Sequence, residues 1–104
     1  MRTHVRWGAD GGAVVVIAGK FDTPDVEQLS AVTERCLEAR SVVTLDFHGA
    51  EVLSDCAIAR LADELNRAPG HVSLMGLSEH HHRLLQYMGA EAPRAEHAGA
   101  EDNT

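Results

Sequence analysis

Residues 42–62 read VVTLDFHGAEVLSDCAIARLA, and this stretch decides the architecture. Its first six residues, 42–47, form a β-branched and apolar run of the kind found in a buried strand. Its end changes period: Ile58, Leu61, Ala62 and, just beyond, Leu65 fall at i, i+3, i+4 and i+7, the stripe of an amphipathic helix. A buried strand that hands over to a helix within a few residues is half of a strand–helix–strand unit. Residues 48–55 are expected as the connection.

Working outward, the same alternation recurs on both sides. Residues 13–18 (AVVVIA) make another continuous apolar run, expected as a strand buried on both faces. Before it, Ala9-Asp10-Gly11-Gly12 carries turn chemistry and residues 4–7 a short strand, so a hairpin opens the sheet. Thr23 is expected as a helix N-cap with Pro24 at the first helical position and Asp25 in the first turn. Val26, Leu29, Val32, Cys36 and Leu37 keep helical spacing to about residue 39. After the central unit, Ala68-Pro69-Gly70 ends the helix and residues 72–75 form a further strand. Ser78 then caps a last helix, with His81, Leu84, Leu85 and Met88 expected on its inner face and Gly89 as its stop. The order β-β-α-β-α-β-α implies an α/β fold with parallel pairing and right-handed crossovers: a four-stranded mixed β-sheet with helices mainly on one face. One domain over residues 1–89 is followed by a polar tail, residues 90–104 (AEAPRAEHAGAEDNT), without apolar periodicity and expected to be disordered.

Composition narrows the function classes. The chain has 104 residues, one domain's worth, and a formal net charge of −7. That charge argues against nucleic acid and anionic membrane as partners. No apolar run reaches the roughly 18–20 residues that span a bilayer, and the first residues lack a secretory apolar stretch, so a cytoplasmic location is expected. Cys36 and Cys56 are too few and too far apart for a disulfide framework or a zinc knuckle.

Catalytic signatures are missing from the sequence: no GxSxG elbow, no glycine-rich phosphate loop. His80, His81 and His82 are consecutive, so on a helix they project about 100° apart; on that ground they are not expected to converge on one ion, and no metal or cofactor is assigned. The segment that carries information is Val52-Leu53-Ser54-Asp55-Cys56-Ala57-Ile58, between a buried strand and a helix. Ser54 or Asp55 can cap that helix, whose free N–H groups favour negative charge.

Together these pieces resemble the STAS family, over about residues 14–89. Ala18-Gly19-Lys20-Phe21-Asp22 is similar to the family's Gly-x-apolar-Asp strand end. Residues 42–47 resemble its central strand, ending in Leu-Asp-apolar, and residues 52–58 sit where it carries an apolar pair followed by Asp-Ser-Ser-Gly-Leu. Leu74-Met75-Gly76-Leu77-Ser78 resembles its last strand and turn. The resemblance implies a bacterial anti-sigma-factor antagonist, a non-enzymatic regulator that docks on a serine-kinase anti-sigma factor and is silenced by phosphorylation of the loop's first serine. At that acceptor position this chain has Asp55, preceded by Ser54; Cys56 replaces the second serine and Ala57 the glycine. A carboxylate carries about one negative charge where a phosphoserine carries about 1.5 to 2, so the phospho-switch is expected to be lost, with Ser54 as the alternative, displaced acceptor. The implied partner-binding residues are Asp22, Ser54, Asp55, Cys56 and Ala57, and the implied partner is a protein such as that kinase; a homodimer is a separate expectation. The family also includes accessory subunits of lipid-transport ABC systems and scaffold pieces of sensory complexes. Genome neighbours separate these readings.

Overall fold

A computed structural model describes residues 1–40, 42–67, 71–90 and 94. The elements follow the expected order: β1 (Arg2–Trp7), β2 (Gly12–Phe21), α1 (Thr23–Ala39), β3 (Val42–Leu53), α2 (Asp55–Arg67), β4 (His71–Met75) and α3 (Glu79–Tyr87). The sheet order is β1-β2-β3-β4. The β1–β2 hairpin is antiparallel, whereas β2–β3 and β3–β4 are parallel. Each parallel step needs a crossover, and α1 and α2 supply them.

The core lies between one face of the sheet and the helices. Ala13, Val15 and Ile17 from β2, Val43, Leu45 and Phe47 from β3, and Val72 and Leu74 from β4 are buried. They meet Val26, Leu29 and Cys36 of α1, Ala57, Ile58, Leu61 and Ala62 of α2, and Leu85 of α3 in one cluster. Period 2 in the strands and 3.6 in the helices put these positions on facing surfaces. Burial pushes the Cys36 thiol pKa up. Thr33, also buried, returns its hydroxyl to the Leu29 carbonyl at 2.8 Å.

Several sequence expectations are corrected. Residues 13–18 are not buried on both faces: Val14, Val16 and Ala18 alternate with the core positions and stay half-buried, because the helices cover only the other side. Strand β3 runs twelve residues to Leu53, through the segment expected as a connection. Its second half pairs with Ala18 to Phe21 of β2, past register shifts at Val16/Ala18 and Gly19/Lys20. The small side chains at Gly49 and Ala50 permit this close run: a Cβ on Gly49 would lie 3.1 Å from the Ile17 carbonyl oxygen. On α3, His82 rather than His81 is buried with Leu85, and Met88 is 40% exposed. The helix starts at Glu79 after the expected Ser78 cap, and its inward stripe runs through His82 and Leu85.

On the uncovered sheet face, Asp46 is nearly buried and satisfied locally. Its Oδ1 accepts from the His48 backbone N–H at 2.9 Å and lies 2.8 Å from His48 Nδ1, as a buried carboxylate requires. Past α3, Ala90 is buried and Arg94 forms an isolated parallel bridge with Leu74. The rest of the expected tail, like the Ala68-Pro69-Gly70 break, lies outside the described residues.

Candidate functional site

Because β2, β3 and β4 are parallel, their carboxyl ends point the same way and each runs directly into a helix. Three helix N-termini therefore gather at one end of the sheet, where α/β folds place ligands and partners. The capping residues do the local work. Asp22, not Thr23, is the N-cap of α1: its Oδ1 accepts from the Thr23 N–H at 2.8 Å, and Asp25 Oδ2 accepts from the Asp22 N–H at 2.9 Å, closing a capping box. Thr23 and Pro24 thus fall one position further into the helix than expected, since Asp22 already adopts the extended backbone of a cap.

Ser54 caps α2. Its Oγ accepts from the Ala57 N–H at 3.0 Å and donates to Asp22 Oδ1 at 3.1 Å. The Ser54 N–H donates to the Phe21 carbonyl at 3.3 Å, which stitches the ends of β2 and β3 together. Asp22 and Ser54, 32 positions apart, are therefore one hydrogen-bonded unit joining two helix starts. Asp22→Ala should cost about 1 kcal/mol, the usual worth of an N-cap within a range of about 0.5–2 kcal/mol. Urea unfolding checks this, and Asp22→Asn should recover most of the loss by keeping the acceptor oxygen.

Asp55 is the first residue of α2, and its side chain is 60% exposed. It reaches neither inward nor to its own helix's amides. Both of its oxygens lie 3.0 Å from His80 Nε2, and Oδ1 lies 3.8 Å from His81 Nε2. His81 is held in turn: its Nδ1 is 2.9 Å from Ser78 Oγ, and Ser78 is the N-cap of α3. Asp55, His80 and His81 offer ligand atoms that all lie within 4.8 Å of one another. Adjacent histidines were expected to point apart, yet His80 and His81 both approach the one carboxylate of Asp55. Imidazole arms reach far enough from neighbouring backbone positions when the third group comes from another helix.

Of the five predicted binding residues, Asp22, Asp55 and Cys56 are exposed and Ser54 is half-buried. Ala57 is corrected: it is fully buried, because it already lies on the inner stripe of α2, and it serves the site only through its amide. Cys56 is a free thiol. At the rim, Arg94 donates to Glu79 at 2.7 and 3.3 Å, and this pairing holds the Glu79 carboxyl below its usual range. His80 and His81 are the residues sequence reasoning missed.

No protein-family model matches this sequence, and no curated protein matches it. The fold does match solved structures. The anti-sigma-factor antagonist SpoIIAA in its unphosphorylated form aligns over 98% of this chain and 96% of its own, with a TM-score of 0.63 and 19% identity. The phosphorylated form of SpoIIAA, a Bacillus cell-fate determinant, aligns over 98% of both chains with a TM-score of 0.62 and 18% identity. A Ser-to-Glu variant of Moorella thermoacetica RsbS aligns over 91% of this chain and 86% of its own, with a TM-score of 0.65 and 20% identity. The chain therefore has the STAS fold, the architecture of anti-sigma-factor antagonists. No helix among the described residues is long and apolar enough to cross a membrane.

Proposed function

We propose that this chain is a non-catalytic docking module of the anti-sigma-factor-antagonist kind, whose contact surface is the start of α2 and whose phosphorylation switch has been replaced by a fixed charge. The surface consists of Asp22, Ser54, Asp55 and Cys56, and its partner is a protein such as a serine-kinase anti-sigma factor. A cytoplasmic setting fits such a partner. One observation carries the reading: Asp55 stands exposed at the first position of α2 while the neighbouring serine is fully engaged.

The hydrogen bonds of Ser54 speak against a displaced acceptor. Its proton already goes to Asp22 and its oxygen already caps the helix. A phosphoryl group there would break the cap and set a second anion beside the Asp22 carboxylate, a repulsive pairing. Asp55 cannot form a phosphate ester, and its charge suits the positive end of α2.

The test captures partners from the native host with the full chain and with Asp55→Ser and Asp55→Lys, then titrates the captured kinase. Asp55→Lys should weaken docking about tenfold or more, since a reversed charge at an interface costs upward of about 1.4 kcal/mol. With kinase and ATP, only Asp55→Ser should take up phosphate. If both variants retained every partner at unchanged affinity, the loop would not be the docking surface. Stoichiometric phosphate on Ser54 of the natural chain would end the lost-switch reading.

A further inference from the structure

We propose that Asp55, His80 and His81 form a binding site for a divalent transition-metal ion of the Zn2+ class, built across the starts of α2 and α3. The site stands on its own geometry and does not depend on the docking reading.

The donor set selects the ion. Two imidazole nitrogens and one carboxylate suit Zn2+, Ni2+ or Cu2+, whereas Mg2+ and Ca2+ demand mostly oxygen ligands. In a tetrahedral Zn2+ site with bonds of about 2.0–2.2 Å, ligand atoms lie about 3.3–3.6 Å apart. Here His80 Nε2 is 3.0 Å from the Asp55 oxygens, His81 Nε2 is 3.8 Å from Oδ1, and all the ligand atoms lie within 4.8 Å. Small side-chain rotations suffice to bring them onto one ion. The two histidine rings already meet edge-on with centroids 5.3 Å apart, so they approach the carboxylate from different directions.

A second observation is independent of that clustering. Ser78 Oγ accepts from the His81 backbone N–H at 3.3 Å and lies 2.9 Å from His81 Nδ1, so the ring is held with Nε2 on the side of the carboxylate. A hydrogen bond on the far ring nitrogen that fixes tautomer and orientation is the usual outer support of a metal-bound histidine. The same serine caps α3, so the support is rigid. Asp55 is 60% and His80 65% exposed, against 14% for His81. The anchored ligand is thus the deep one, and the ion keeps one coordination position open to solvent. A bound dication also reverses the sign of the charge that Asp55 presents.

The test uses the purified full chain, Zn2+ in calorimetry and Co2+ in visible absorption. One ion per chain is expected, with the strong d–d bands of four-coordinate Co2+. His80→Ala alters only an exposed residue, so it should stay folded by circular dichroism while affinity falls at least about tenfold; Ser78→Ala, which removes the outer support together with the α3 N-cap, should lose about 10–100-fold. Two results would overturn the site: no saturable uptake by the natural chain, or uptake of unchanged affinity in both His80→Ala and Asp55→Ala. The second would place binding on other histidines.

Discussion

Gly76→Ala is expected to cost about 2–4 kcal/mol of stability, through strain at a special backbone position plus a backbone clash. Gly76 sits between β4 and α3 with φ +85°, in the left-handed region. A Cβ there would lie 2.5 Å from the His48 nitrogen, 2.9 Å from the Phe47 carbonyl carbon and 3.1 Å from the His48 Cα. All three atoms are backbone of β3, so no side chain can swing aside. Gly89 is the control. Its φ is +83° but a Cβ would meet nothing within 4 Å, so Gly89→Ala should cost only the conformational part, about 1–2 kcal/mol. Urea unfolding of the two variants separates the contributions. Equal losses would mean that close approach to β3 adds nothing. The turn also sets where α3 starts, so the strain in Gly76→Ala should displace Ser78 and His80 relative to Asp55 and weaken Zn2+ uptake, which Gly89→Ala should leave unchanged.

How far the sequence revealed this arrangement depends on the range of the interaction. Element order was legible because period and turn chemistry are local: the stripe of Ile58, Leu61 and Ala62 needs only one helix to be recognised. The cap at Asp22 was misplaced by one residue because Thr23 before Pro24 also satisfies the capping rule, and only the reciprocal bonds with Asp25 decide between them. The length of β3 was hidden because its second half is polar and glycine-containing, and it becomes a strand through pairing with β2 rather than through propensity. The pairing of Asp55 with His80, 25 positions apart, had no local signature. It follows from the parallel β3–β4 step, which brings the starts of α2 and α3 to the same end of the sheet. A usable signal did exist. Ser78 was readable as a cap, and once parallel pairing is accepted, residues just after that cap fall near residues just after Ser54. Helical periodicity alone argued the other way, because it asks where side chains on one helix point and not what a second helix brings to meet them.

Phe47→Ala is expected to lose about 3–5 kcal/mol, the usual cost of emptying a buried phenylalanine site. Phe21 and Phe47 are the chain's two phenylalanines, and both are buried. Their rings meet edge-on, centroids 5.5 Å apart and planes at 72°, an arrangement worth about 0.5–1.5 kcal/mol beyond area burial. The rest of the buried apolar core is aliphatic or small, so no other phenyl ring can take over the space. A domain this size commonly has about 5–15 kcal/mol of total stability, so the loss would be a large fraction. Thermal unfolding should show it as a fall of roughly 4–8 °C for each kcal/mol. Phe47→Leu keeps most of the volume and should cost under half as much. Crossing Phe47→Ala with Phe21→Ala should leave a coupling of about 0.5–1.5 kcal/mol, because the edge contact can be lost only once. The consequence reaches the site through the backbone. Phe21 immediately precedes Asp22, and its carbonyl accepts from the Ser54 N–H, so the ring pair seats the strand ends that hold the Asp22–Ser54 unit. Phe47→Ala should therefore loosen that unit before global unfolding, seen as faster exchange of the Ser54 and Ala57 amides than Phe47→Leu shows. A loss below about 1.5 kcal/mol, in the range of volume-conserving swaps, would mean that the core closes around the gap and that the ring pair does not hold the two strand ends in place.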